Sequence, residues 1–174
     1  MTNDQHYTTT FDCLVGELTL VATDLGLRAV KWPNERVGRL PLPEEMISKP
    51  DHPVLEATRI QLEEYFQGER TEFDLPLDLR GTEFQQLAWL ALALIPYGQT
   101  VSYGEQAVRI GRPRAVRAIG AANGRNPISI ILPCHRVVGA NDDLTGFAGG
   151  IETKRELLAF EKNEDHRQGV LELG

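Results

Sequence analysis

The sequence predicts two unlike halves: a small α/β N-terminal domain and a mainly α C-terminal domain with a helix-turn-helix and a cysteine-bearing loop. Three observations carry this. Residues 7–32 alternate in polarity between glycine turns, the pattern of a strand meander. Residues 82–161 hold capping boxes and side chains spaced i, i+3, i+4, i+7, the pattern of helices. In Ile131-Leu132-Pro133-Cys134-His135-Arg136-Val137, one cysteine stands between an apolar run and a His-Arg pair.

The bulk properties set limits. A chain of 174 residues has room for one domain or two small ones, and 41% apolar residues is ordinary for a folded protein. No apolar run approaches the roughly 20 residues that span a bilayer, so no membrane partner is expected. Residues Met1 to His6 are polar and resemble neither a signal nor a transit peptide, which points to the cytoplasm. The two cysteines, Cys13 and Cys134, lie far apart and outside any CxxC. Free thiols in a reducing compartment are therefore expected rather than a disulfide. His6, Cys13, His52, Cys134, His135 and His166 lack paired ligand spacing, so no metal site is expected.

The N-terminal half reads in order. Strands over Thr8–Phe11, Glu17–Val21 and Leu27–Val30 are separated by Gly16 and by Asp24-Leu25-Gly26. Residues 33–53 contain five prolines and no period, which predicts a loop. Pro53 opens a helix to about Phe66, with Val54, Ala57, Ile60, Gln61, Glu64 and Tyr65 as its stripe and Gly68 as its stop. Residues 72–81 read as an extended linker. The expected domains are residues 1–78 and 79–165, followed by a tail over 166–174.

The second half is mostly helical. Thr82 with Gln85 forms a capping box for a helix to about Leu94, stopped by Pro96 and Gly98. Ser102 with Glu105 forms another, for a short helix ending at Gly111. Pro113 suits the first turn of the next helix, whose stripe is Ala115, Ala118, Ile119 and Ala122. Arg114 and Arg117 fall on a different face. Two short helices around a glycine turn, the second carrying arginines, fit a helix-turn-helix. Asn123 to Pro127 is a turn cluster, Ile128 to Leu132 a buried strand, and Gly139 to Gly150 a polar loop without nucleotide-cradle spacing. Glu152 to Glu161 is the last helix.

Charge is distributed unevenly. Arg109, Arg112, Arg114, Arg117, Arg125 and Arg136 occupy a window without Asp or Glu, which leaves −13 for the remainder of a chain of net charge −7. A positive face on an acidic body can hold a phosphate backbone. The window ends on the cysteine.

A cysteine becomes a strong nucleophile as a thiolate, and neighbouring cations favour that form. Alone, Cys134 beside an Ile-Ile-Leu run reads as a small buried hydrophobe. His135 cannot touch it along a continuing strand, because neighbours point to opposite faces. Either Pro133 starts a turn that brings them together, or a water bridges sulfur and imidazole. On the last helix Lys154, Leu157, Leu158 and Glu161 share a stripe. A carboxylate there is costly unless paired, so Glu161 is a candidate partner for the imidazole or one end of a structural ion pair.

Pro133-Cys134-His135-Arg136-Val137 resembles the active-site motif of the O6-alkylguanine-DNA alkyltransferases, which repair DNA by direct reversal. Arg117 to Pro127 is similar to that family's recognition-helix and asparagine-turn segment. Ile95 to Gly104, Gly146-Phe147-Ala148-Gly149-Gly150 and Lys154 to Glu161 match in order and spacing. The resemblance is specific over 82–162, weaker over 53–81 and thin over the first 50 residues.

The resemblance implies an RNase H-like sheet in the N-terminal domain and an active-site loop in the C-terminal one. It implies a partner, duplex DNA containing O6-alkylguanine, with O4-alkylthymine as a second candidate substrate. The helix-turn-helix would enter the minor groove, with Ser102, Tyr103, Arg114, Ala115, Gly120 and Ala121 at the DNA. Arg117 would replace the extruded nucleotide in the stack. Tyr103 would crowd a phosphate and donate toward guanine N3. Cys134 would take the alkyl group irreversibly, and His135, oriented by Glu161, would take the thiol proton through a water. Asn126 would tie the recognition segment to the active-site loop, while Val137, Phe147 and Ala148 would line the base. No cofactor is implied, and a monomer without an obligatory protein partner is expected.

Phe147 stands where tyrosine is common in the family, and Ala148 where some members have serine, so two hydroxyl contacts are missing. Asp142-Asp143 lies where glycine is frequent. The competing readings are a non-reactive alkylated-DNA damage sensor, a helix-turn-helix transcription regulator and a cysteine hydrolase. The sensors usually have tryptophan in place of the cysteine, a regulator leaves Cys134, His135 and Glu161 unexplained, and a hydrolase needs an oxyanion hole.

Overall fold

Two glycines, Gly16 and Gly26, turn the chain through positive φ values of 108° and 155° and so create an antiparallel meander. The computed structural model describes residues 4–163. Strands β1 (Tyr7–Cys13), β2 (Gly16–Thr23) and β3 (Gly26–Lys31) are the ones the alternation predicts. A fourth strand, β4 (Ile47–Ser48), lies in the proline-rich stretch that reads as loop, and it runs parallel to β1. The sheet order is β3-β2-β1-β4. Two residues of backbone pairing are too few to leave a periodic signal.

Helix α1 (Pro53–Phe66) packs across β1, β2 and β3. Its buried residues are Leu55, Thr58, Leu62 and Tyr65, not the stripe through Val54, Ala57 and Ile60. Thr58 can sit inside because its hydroxyl donates to the Val54 carbonyl at 2.7 Å. The loop before α1 brings Leu40, Leu42 and Met46 against Val21 and Ala29. Strands β2 and β3 are thus buried along most of their length, with Thr23 and Arg28 inside among the apolar side chains.

The stretch over 72–81 is not a free linker. The Leu27 N–H donates to the Pro76 carbonyl and the Asp78 N–H to the Leu27 carbonyl, both at 2.8 Å. Proline has no N–H to give, yet its carbonyl can close a sheet edge. A side chain at Gly26 would place its Cβ 2.7 Å from the Pro76 carbonyl, so glycine is required there.

The chain divides into two compact units, residues up to Leu79 and Arg80–Lys162. The expected tail over 166–174 lies outside the described residues.

The second unit is built on α2 (Glu83–Leu92), α3 (Tyr103–Arg109), α4 (Val116–Gly124) and α5 (Ile151–Lys162). Both capping boxes form, at Thr82 with Gln85 and at Ser102 with Glu105. Ala88, Ala107, Ile119 and Ala122 make a core of small residues that brings α2, α3 and α4 close. Gln106 and Asn123 bond amide to amide in both directions, at 3.1 and 2.8 Å. The Trp89 indole donates to the Ala122 carbonyl at 2.7 Å.

Two helix details differ from the sequence reading. Pro113 and Arg114 lie in a turn, and α4 begins only at Val116 with no side-chain cap. Its buried residues are Ile119, Ala122 and Asn123, while Ala118 is exposed.

Strands β5 (Val101–Ser102) and β6 (Val137–Val138) pair in parallel, joining the start of α3 to the segment after the cysteine. Among the described residues no helix is long and apolar enough to cross a membrane.

Candidate active site

The buried run before the cysteine is a folded loop rather than a strand. The Leu132 N–H donates to the Ile128 carbonyl and the Ile131 N–H to the Ser129 carbonyl, both at 2.9 Å. Ile130 holds a φ of 74°, a left-handed conformation rare for a β-branched residue. Asn126 organises this loop from inside: its amide donates to the Leu132 carbonyl at 2.7 Å and its carbonyl accepts from the Ile128 N–H at 3.0 Å. An asparagine in this position acts as an internal backbone substitute.

Pro133 then leads into a 3₁₀ turn over Cys134–Arg136. Successive side chains in such a turn diverge by about 120°. The turn itself therefore does not aim Cys134 and His135 the same way. Cys134 is in no disulfide and is 7% exposed.

His135 is fully buried, and its Nε2 lies 2.7 Å from Oε2 of Glu161 on α5. Arg136 grips the same carboxylate through Nε at 2.8 Å and Nη2 at 3.0 Å, and donates from Nη1 to the Ile95 carbonyl at 2.7 Å. The Gly98 N–H adds a fourth bond to Glu161 at 3.3 Å. Burial pushes the Glu161 carboxyl up, but the bonds and charges of His135 and Arg136 outweigh it and hold it well below the usual carboxylate range. Burial lowers the His135 pKa; Glu161 opposes this, and the charges of Arg136 and Lys154 add to it. The ionised carboxylate can only accept, so His135 carries its proton on Nε2. Its Nδ1 is buried without a protein partner.

Lys154 is also fully buried, donating from Nζ to the Val137 carbonyl at 2.7 Å. Its pKa is lowered by burial and raised in part by the charge of Cys134. That attraction is mutual, so the ammonium favours negative charge on Sγ. Nζ also stands 5.9 Å from the centre of the Tyr103 ring.

Five of the six arginines in the basic window, Arg109, Arg112, Arg114, Arg117 and Arg125, are exposed. Arg136 is not part of that face; it is inside, on Glu161. The cation count of the sequence window therefore overstates the surface by one. Among the described residues no group of three His, Cys, Asp or Glu side chains is placed to hold a metal ion.

Known proteins share both the sequence and the fold. Residues 83–163 match the 6-O-methylguanine DNA methyltransferase DNA-binding domain, and residues 6–79 match the ribonuclease-like domain of the same proteins.

The chain belongs to the 6-O-methylguanine DNA methyltransferase family.

Within that family it is 50% identical over 163 residues to a methylated-DNA–protein-cysteine methyltransferase of Mycobacterium bovis, covering 91% of this chain and 93% of the relative. The enzyme of the same name from Methanosarcina acetivorans is 45% identical over 155 residues, covering 89% and 97%. The crystal structure of Mycobacterium tuberculosis OGT in complex with DNA superposes with a TM-score of 0.81 at 45% identity, covering 97% of this chain and 98% of that one. The α/β domain and the helical domain are those of this methyltransferase fold.

The remaining predicted residues of this methyltransferase-family chain fall on α3, in and just before α4, in β6 and in the loop before α5. Ser102 caps α3, its hydroxyl accepting from the Glu105 N–H at 3.0 Å. Tyr103, the first residue of α3, reaches Thr145 Oγ1 at 2.5 Å. Arg117 and Ala121 are exposed on α4, Gly120 is half-buried there, and Arg114 and half-buried Ala115 precede it. Val137 is buried in β6, and Phe147 and Ala148 are half-buried before α5.

Sequence reasoning missed three partners of the site. Lys154 had a visible signal, a lysine on the same buried stripe as Glu161. Arg136 hid inside a run of surface arginines. Thr145 had no signal.

Proposed function

We propose that the protein repairs alkylated DNA by direct reversal, moving the alkyl group of O6-alkylguanine in a duplex onto Cys134 in one irreversible turnover. The activity is that of a methylated-DNA–protein-cysteine methyltransferase, the name carried by its relatives at 45–61% identity. One observation carries the assignment of roles: on the turn that bears the only cysteine of the helical unit, buried His135 and Arg136 both bond to Glu161 of α5.

In this reading α3 and α4 dock on the duplex. Ser102, Tyr103, Arg114, Ala115, Gly120 and Ala121 meet its backbone and groove, and Arg117 fills the space of the flipped nucleotide. Flipping costs a few kcal/mol, less at a damaged pair. His135 takes the thiol proton at Nδ1 through a bridging water, with Glu161 stabilising the imidazolium. The thiolate attacks the alkyl carbon in line; the S–C bond forms as the C–O6 bond breaks. The electron pair stays on the guanine, which Tyr103 meets with a hydrogen bond at N3 and which then takes a proton.

Val137, Phe147 and Ala148 border the base in this scheme. The hydroxyls missing at Phe147 and Ala148 bear on lesion range rather than on the transfer. The lesion supplies the electrophile, so the reaction balances without a cofactor. We place the protein with its DNA in the cytoplasm, as a monomer that needs no protein partner. A non-reactive sensor is not favoured, because a nucleophile is present and the relatives are methyltransferases.

The test is a mass measurement. Incubation with an oligonucleotide duplex carrying O6-methylguanine should add one methyl group to the peptide containing Cys134, saturating at one equivalent. Cys134→Ala should accept none while still binding duplex DNA. Unmodified wild-type protein, or repeated turnover, rejects the reading.

A further inference from the structure

We infer that Thr145 is the positioning residue of Tyr103, tying the phenol to the loop before α5 and strengthening it as a hydrogen-bond donor. The inference rests on the reaction proposed above and adds a residue to it.

The geometry is specific on both sides. The Tyr103 ring packs against the Ala88, Ala107, Ile119 and Ala122 core, with Lys154 Nζ 5.9 Å from its centre. Its hydroxyl is 2.5 Å from Thr145 Oγ1, a residue 42 positions away. The threonine is held in turn. The Gly139 N–H donates to the Asp143 carbonyl at 2.7 Å, closing the loop. A Cβ on Gly139 would lie 3.3 Å from the Thr145 methyl, so that methyl rests close on the glycine backbone. Threonine is stiff at χ1, so a seated methyl fixes where its hydroxyl points.

A hydroxyl both donates and accepts. With no base present, the more acidic phenol donates to the threonine. When guanine N3 arrives as an acceptor, the phenol turns its proton to N3 and Thr145 donates to the phenol oxygen. A bond donated to that oxygen stabilises negative charge on it, and hydrogen bonds in series reinforce one another. The Lys154 cation near the ring acts in the same sense. Because Phe147 and Ala148 lie on the same loop as Thr145, seating that loop and aiming the phenol become one event.

Two variants test this. Thr145→Val keeps the shape and removes the hydroxyl; Thr145→Ser keeps the hydroxyl. Single-turnover methyl transfer is measured at saturating O6-methylguanine duplex, together with the Kd for that duplex and thermal melting. Thr145→Val should transfer about tenfold more slowly, the effect of one net hydrogen bond, with Kd and Tm unchanged. Thr145→Ser should restore most of the rate. In a Tyr103→Phe background, Thr145→Val should cost nothing further, since interacting residues are not additive. A wild-type rate in Thr145→Val, failure of serine to rescue, or the same loss in both backgrounds overturns the inference and leaves the proposed reaction standing. Absence of transfer in wild type overturns both.

Discussion

Nε2 of His135 meets Oε2 of Glu161 at 2.7 Å, and because the carboxylate only accepts, the imidazole lone pair is left on Nδ1. Tautomer and ring orientation are both set by a side chain 26 positions away. Arg136 keeps that carboxylate ionised, so the base depends on a cation as well as an anion.

Removing the carboxylate should therefore harm stability and chemistry together. Glu161→Gln leaves Arg136 buried without its counter-ion and takes the carboxylate acceptor from His135, a change that costs about 3–5 kcal/mol for a buried pair. Denaturant melts should show that loss, and single-turnover transfer should slow under conditions where the variant remains folded. A variant as stable as wild type would sink the ion-pair account.

Acid should act in two stages. The folded pKa of His135 is lowered, so its contribution to stability is complete above the unfolded value of about 6.5 and is lost as pH falls toward the folded value. Glu161 is also depressed, so its contribution is present above about 4.5 and fades below that. A Tm series from neutral to acid should fall in both ranges, and His135→Asn should remove the upper stage. A flat profile between neutrality and pH 5 would contradict the burial of a neutral imidazole.

Arg117 is exposed on α4, where a finger into the duplex would start. Arg117→Ala should slow repair of duplex DNA about tenfold or more, because flipping is no longer compensated. Reaction with the free base O6-benzylguanine should hardly change. Equal losses on both substrates would remove the finger role.

The two-way amide pair between Gln106 and Asn123 fixes α3 to α4. Asn123→Ala leaves one buried amide short of partners and should cost about 1–3 kcal/mol in urea. Replacing both by leucine should recover part of that. If the double variant were as unstable as the sum of the singles, the pair would not be the tie between these helices.

The sequence made some features legible because local chemistry decides them. Thr82 with Gln85 and Ser102 with Glu105 each satisfy helix-end N–H groups from within four residues, and both formed. Glu161 stood out because a carboxylate on an apolar stripe demands a partner. Other features depend on distant contacts. The run Ile128 to Leu132 is apolar in any buried conformation, so composition could not tell a strand from the loop that Asn126 holds. The α1 stripe was misread because Thr58 looks polar until its hydroxyl is paired with Val54. Strand β4 and the docking of Pro76 on Leu27 exist only through pairing with remote residues.

Gly98 sits at a φ of 76°, where an added Cβ would come within 3.3 Å of the Glu161 backbone. The turn before β5 thus closes around the end of α5, the last element to be synthesised among those described. During translation the sulfur emerges well ahead of the carboxylate that orients its base. A nascent chain cut off before α5 carries the thiol but not the finished base. Completion of the site is in this way a report that the polypeptide has been made through α5 and that this helix has docked.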